Sequence, residues 1–211
     1  MAMVLASKII QVVILRELLR SDVELAAQAL LGCLMVKGNV SVQIVETEAY
    51  TWDDPGCHAY KKERMKNMAM YGEPGTSYVY FTYGNHWMVN VVADRLGRAG
   101  AVLIRAAKPV SGLEDIWENR PNITKEVELM AGPGRMTKSL GINSEHNMLD
   151  LFDHQSLLRI VKTGHVPVIQ QSRRIGIAPG KGDELVRRYV DVSLLEWATK
   201  HKLNLELHNQ K

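Results

Sequence analysis

The chain has 211 residues and a mass of 23.7 kDa, with 46% hydrophobic and 23% charged residues. Those fractions exclude a long disordered chain, a collagen-like repeat and a disulfide scaffold, and the length suits one domain whose core needs no staples. The net charge of +3, from 26 Lys and Arg against 23 Asp and Glu, permits an anionic partner without demanding one.

Ser21-Asp22-Val23-Glu24 has capping-box spacing before an Ala- and Leu-rich run to Leu31, and Gly32 is a natural stop. Leu34 to Val36 and Val40 to Val45 read as strands around Lys37-Gly38-Asn39. In the second strand Val40, Val42, Ile44, Glu46, Glu48 and Tyr50 share one parity. If the strand persists, two acids and a ring point the same way as the apolar residues. Asp53-Asp54-Pro55-Gly56 and Pro74-Gly75 are turn chemistry. Tyr78 to Thr82 and His86 to Ala93 predict a hairpin with Tyr83-Gly84-Asn85 at its tip, and Ala101 to Ala107 is a third strong strand that carries Arg105. Ser111-Gly112-Leu113-Glu114 opens a short helix toward Arg120, and a partly helical connection follows over 121–130. Gly132-Pro133-Gly134 opens a helix toward Leu140. Leu157 to Val161 and Val166 to Gln170 are late strands, Ser193-Leu194-Leu195-Glu196 caps a last helix, and the tail from His201 reads as polar and frayed. This order of helices among mainly antiparallel strands predicts an α+β single domain over residues 1–211.

Two cysteines, Cys33 and Cys57, fit a reduced compartment better than a disulfide framework. The apolar runs, such as Ile9 to Leu15, are too short to span a bilayer, and no charged segment precedes a long apolar stretch. The expectation is an intracellular protein with no membrane partner, in the cytoplasm or nucleoid (the nucleus if the source is eukaryotic).

Nine of the 13 aromatic residues fall within 38 positions, from Tyr50 to Trp87, together with His58, His86 and the basic run Lys61, Lys62, Arg64 and Lys66. Rings plus positive charge suit a surface that stacks bases and holds phosphates; a packed aromatic hairpin beside a solvated loop is the plain alternative. A second basic group, Arg173, Arg174, Lys181, Arg187 and Arg188, places five cations in 16 residues. With Lys61, Lys62, Arg64 and Lys66 these are the candidate phosphate contacts. The seven histidines form no metal-ligand spacing, so no metal is expected. Met130 to Thr137 superficially fits the glycine hairpin of helix-hairpin-helix DNA-binding proteins, but Pro133 removes one N–H donor.

The informative set is Glu46-Thr47-Glu48-Ala49-Tyr50, Cys57-His58, Gly75 through Gly84, Asn90 and Arg105. It supplies a carboxylate, flat rings, an amide and a guanidinium, enough to clamp a planar heterocycle and attack a neighbouring bond with water. Ile44 through Tyr50 with His58, Pro74-Gly75 through Tyr83-Gly84 to Asn90, Val102 through Ala106, Gly132-Pro133-Gly134-Arg135 and Arg174 through Ile177 closely resemble the alkyladenine (3-methyladenine or methylpurine) DNA glycosylase family, in the family's order. The resemblance covers roughly residues 13 to 192. Where that family often has Arg-Thr-x-Arg-Asn, this chain reads Arg64-Met65-Lys66-Asn67, which keeps the basic character and loses a hydroxyl.

The resemblance implies hydrolysis of the N-glycosidic bond of alkylated or deaminated purines in double-stranded DNA (the 3-methyladenine, 7-methylguanine, hypoxanthine and ethenoadenine class). It implies no metal, no cofactor and no lyase step; a monomer is expected. It makes Glu48 the base for water, with Arg105 and the Ile175 carbonyl holding that water. Tyr50, His58 and Tyr80 match rings that enclose the extruded base, Asn90 the residue opposing a guanine 2-amino group, and Tyr83 the side chain that fills the gap in the duplex. The fold expected is a curved, mainly antiparallel, partly open barrel-like sheet with surrounding helices and a protruding β-hairpin. A damaged-nucleic-acid binding protein without turnover and a nucleoside hydrolase are the rival readings.

Overall fold

Asp22 divides the N-terminal helical run in two. In the computed structural model, which describes residues 2–61, 64–82 and 84–207, helix α1 spans Ala2–Ser21 and helix α2 Val23–Leu30. Asp22 is extended, and its carboxylate accepts the Glu24 and Leu25 N–H groups at 2.7 and 2.9 Å. The cap therefore falls one residue after Ser21, whose hydroxyl bonds back to Leu18 O. α1 itself had no signal in the sequence reading. Its last turns bury Leu15 and Leu19 against α2 and the sheet, and Arg16 pairs with Asp150 at 2.7 Å.

Strands β1 (Leu34–Lys37) and β2 (Val40–Tyr50) form the first hairpin, paired from Lys37↔Val40 inward, with Gly38 in the left-handed region. β3 (Ser77–Thr82) and β4 (His86–Val92) form the second, and β5 (Ala101–Ser111) lies between β4 and β2. Helix α3 covers Leu113–Glu118, and helix α4 covers Pro133–Ser139 with Pro133 in its first turn. β6 (Arg159–Val161), β7 (Ile169–Ser172) and β8 (Arg188–Asp191) follow. A 3₁₀ stretch, Val192–Trp197, is capped by Asp191 rather than by Ser193, and helix α5 (Asn204–Leu207) ends the described chain. Leu203 and Leu207 are buried, so that part of the tail is docked and not frayed.

All named pairings are antiparallel, in the order β3-β4-β5-β2-β1-β6, with β8 joining β2 to β7. β1 and β8 share one edge of β2: β1 takes residues 40–43 and β8 takes residues 46–48. The sheet curls into an α+β half-barrel, as expected. β8 was not foreseen, and the two late strands are shorter and later than predicted.

The register of β2 against β5 shifts between Ile44 and Glu46 and again between Glu46 and Thr47. This bulge inverts the face of everything beyond it. Val42 and Ile44 face the main core under α2; past the bulge, Ala49 enters that core and Thr47 donates to Ala27 O at 2.9 Å. Glu46, Glu48 and Tyr50 therefore leave the apolar face. The expectation that they share it with Val40, Val42 and Ile44 is corrected: alternation was counted straight through an inserted residue.

Candidate active site

Opposite the main core, β2, β3, β4 and β5 present their other faces to a cavity of about 270 Å³. Alternation along β3 sends Tyr78 and Tyr80 inward, β4 contributes Met88 and Asn90, and β5 contributes Ala101, Leu103 and Arg105. His58 comes from the loop after β2, Pro133 from the start of α4, and Ile175 with Gly176 from the loop after β7. Gly176 has a φ of +84°, which turns that loop back toward the sheet.

Glu48 is fully buried behind the Tyr50, Arg105 and Ile175 part of this wall. One carboxylate oxygen accepts the Ile175 N–H at 2.7 Å. The other accepts the Tyr50 hydroxyl at 2.7 Å and Arg105 Nη1 at 3.2 Å. Arg105 Nη1 also reaches the Ile175 carbonyl at 3.4 Å, so carboxylate, guanidinium and carbonyl meet at one point. Burial and the Glu48 charge push the Tyr50 phenol well above its ordinary pKa, so its hydroxyl stays protonated and donates. For Arg105, burial opposes the charge, but Glu48 and Glu46 overcome it and raise the pKa.

Glu46, outside the expected catalytic set, proves to be the far anchor of Arg105. It lies 3.4 Å from Arg105 Nε, accepts Arg188 Nε at 2.6 Å and accepts the Thr199 N–H at 2.7 Å. Arg188 also donates to Ser172 and Asn204. Two carboxylates and two guanidiniums thus alternate through the interior, and their charges balance. The signal available in the sequence was the shared parity of Glu46 and Glu48; Arg188 is 142 residues away from its partner.

The ring set gathers at the mouth. The His58 and Tyr80 rings pack at 4.4 Å between centroids, and Tyr78 and Tyr80 at 5.2 Å. His58 Nδ1 lies 3.2 Å from the Tyr78 hydroxyl, which donates onward to Lys66 O at 3.3 Å. Burial of the packed side of the imidazole, and then Lys66, hold His58 below its ordinary pKa. Asn90 is buried and donates to Tyr78 O at 3.0 Å.

The loop bearing Ile175 is fastened by its neighbour. Arg174 is buried, forms a two-pronged pair with Asp54, donates to Ala49 O and Gly182 O at 3.1 Å, and stacks over the Tyr50 ring at 4.5 Å. Arg174 and Arg188 are therefore not phosphate contacts; both charges are consumed inside the protein. Arg187 is half-buried and pairs with Glu24 at 2.9 Å and with Asp54 at 3.6 Å. Lys61, Arg64, Lys66, Arg173 and Lys181 are exposed. Lys62 and Tyr83 lie outside the described residues. Among the described residues no group of three His, Cys, Asp or Glu side chains could hold a metal ion, and no helix is long and apolar enough to cross a membrane.

The site is thus a buried, charge-compensated carboxylate beside a ring-lined cleft. The methylpurine-DNA glycosylase family model matches residues 17–193. A protein of Francisella tularensis subsp. tularensis (strain WY96-3418) is 43% identical over 164 residues, covering 74% of this chain and 84% of that protein. One from Carboxydothermus hydrogenoformans is 42% identical over 174 residues (79% and 89%), and one from Chlorobium phaeobacteroides is 44% identical over 152 residues (72% and 75%). All three carry the name "Putative 3-methyladenine DNA glycosylase". The chain belongs to the methylpurine-DNA glycosylase family. It is an enzyme that hydrolyses N-glycosyl bonds, and its substrate is DNA.

Proposed function

We propose that this protein removes alkylated or deaminated purines from duplex DNA, with the damaged nucleotide turned out of the helix into the cavity between Tyr50, His58 and Tyr80. The cavity, at about 270 Å³, falls just below the ligand-site range of roughly 300–1,000 Å³ and suits one flat ring system. Turning a base out costs a few kcal/mol, least for a damaged one. Tyr83, at the tip between β3 and β4, is the proposed filler of the space left behind. Asn90 is assigned to screening normal guanine.

The observation that carries this reading is the three-point hold on Glu48 by Ile175 N–H, Arg105 and Tyr50. A water bound between Arg105, the Ile175 carbonyl and the carboxylate gives its proton to Glu48 and its oxygen to the anomeric carbon as the purine leaves. Until that proton arrives, the negative charge of the Glu48 carboxylate steadies the developing oxocarbenium-like sugar. A cationic 3- or 7-alkylated purine gains about 0.5–2 kcal/mol from each electron-rich ring it faces and leaves as a neutral base. Exposed Lys61, Arg64, Lys66, Arg173 and Lys181 supply the phosphate contacts. The product is an abasic site with no strand cleavage, the protein acts as a monomer, and its place of work is intracellular.

Duplexes with a single 7-methylguanine or hypoxanthine, incubated with excess protein, test this. Free purine is the expected product. Glu48→Gln is expected to bind the same duplex normally and to release purine at least ~100-fold more slowly. Unchanged release would remove Glu48 from the mechanism, and no release by the wild-type protein would favour a binding protein without turnover.

A further inference from the structure

Met65 is the most exposed large apolar side chain among the described residues, at 85%, and Met68, three residues on, is exposed as well, at 46%. Both lie on the 3₁₀ helix Met65–Tyr71, where residues three apart stand on the same side. The two methionines thus form one apolar ridge. Arg64 and Lys66 flank Met65, and both are exposed.

This ridge is held at a fixed position relative to the lesion pocket. Asn67 is buried; its carbonyl oxygen accepts the Arg64 N–H at 2.7 Å, and its amide donates to His58 O at 2.8 Å. The Tyr78 hydroxyl donates to Lys66 O on the same turn and also meets His58. Residues 64–67 are therefore bolted to two pocket residues, although the Met65 side chain points out of the protein. A single exposed apolar side chain is ordinary, but two methionines on one side of a turn tied to the pocket, with cations on either side, form a surface that a partner can cover.

The flanking cations identify that partner as polyanionic, and an unbranched apolar side chain between phosphate-binding groups has the form of a wedge that opens a base step. We infer that Met65, backed by Met68, inserts against a base step of the substrate duplex next to the extruded nucleotide. Tyr83 is proposed to fill the vacated position itself; Met65 would act on the strand beside the His58 rim, lowering the cost of extrusion by unstacking a neighbouring step. Met65 is a positioning residue, since it reaches no reacting atom. The inference rests on the glycosylase reading given above.

The test compares wild type, Met65→Ser and Met65→Leu on one lesion placed in a duplex and in the matching single strand, under single-turnover conditions. With the side chain so exposed, melting temperature is expected to stay the same in all three. Met65→Ser is expected to slow excision from duplex by at least ~10-fold, the scale of a lost contribution to unstacking. Excision from single strand, where no stack has to open, is expected to stay within about twofold. Leucine is expected to restore most of the duplex rate. A 2-aminopurine beside the lesion, which brightens when unstacked, is expected to brighten on binding wild type and much less with Met65→Ser. Equal duplex rates for wild type and Met65→Ser overturn the wedge, as does a loss that is the same on both substrates. If the wild-type protein released no purine, the glycosylase reading would fall, while the 2-aminopurine signal would still decide whether Met65 deforms the duplex.

Discussion

Glu46 is as buried as Glu48, but its partners are structural. Its carboxyl is opposed by burial and overruled by Arg188 and Arg105, so its pKa lies below the ordinary 4.5. The unfolded chain therefore takes up the proton first as acid is added. The stability Glu46 contributes is complete above about 4.5 and is lost as pH falls through its lower folded value. Glu46→Gln is expected to cost about 3–5 kcal/mol at neutral pH, because it strands Arg188 in the interior. It should also flatten the acid limb of the stability curve, which denaturant titrations between pH 3 and pH 7 would show. An acid limb identical to that of wild type would mean that other carboxylates control acid unfolding. Glu46 also fixes one end of Arg105, so the variant should lose excision rate even where it remains folded.

The elements that place the site were read from the sequence to very different depths. β1, β3, β4 and β5 were legible because β-branched and aromatic residues alternate between clear turn residues, and the nearness of Glu48, Tyr50, His58 and Tyr80 followed from the family resemblance. β8 was not legible. Arg187-Arg188-Tyr189 reads as a solvated charged face, since nothing local tells that Glu46 and Ser172 wait for Arg188 inside. The β2 bulge was hidden for a similar reason: alternation is a local signal, and the inserted residue shows only once β5 is laid alongside. α4 was predicted, but not its closeness to the sheet. A Cβ on Gly134 would stand 2.8 Å from His86 Cγ and 3.1 Å from His86 Cβ; the ring could turn about χ1, whereas Cβ could yield only if β4 moved. Gly134→Ala is expected to destabilise the protein by about 1–3 kcal/mol, read as a lowered melting temperature. An unchanged melting temperature would show that His86 turns away freely.

Across the whole molecule, the site is assembled from segments far apart in the chain and then tied. Asp54 follows β2 and Arg174 follows β7, 120 residues later; their buried pair holds the Ile175 loop against Glu48. Asp54→Asn would leave Arg174 charged and only partly satisfied. The expected outcome is a loss of about 3–5 kcal/mol in stability and a drop of about 100-fold in the single-turnover excision rate, the scale of an ångström-sized misplacement of a reacting group. DNA affinity should hold, because neither side chain reaches the surface. A variant that lost affinity but kept its rate would mean that Arg174 serves DNA after all.

The shared edge of β2 also sets an order of events as the protein is made. A ribosome releases β1 directly before β2, so the first half of that edge closes at once. The second half, with Glu46 and Glu48, stays unpaired until residues 188–191 have emerged. Through most of translation the future reaction centre is a bare strand edge, open to the wrong neighbour. The carboxylate strand is thus among the last parts to be sealed, and a chain that stops before Arg188 retains the aromatic hairpin but never closes the chamber behind it.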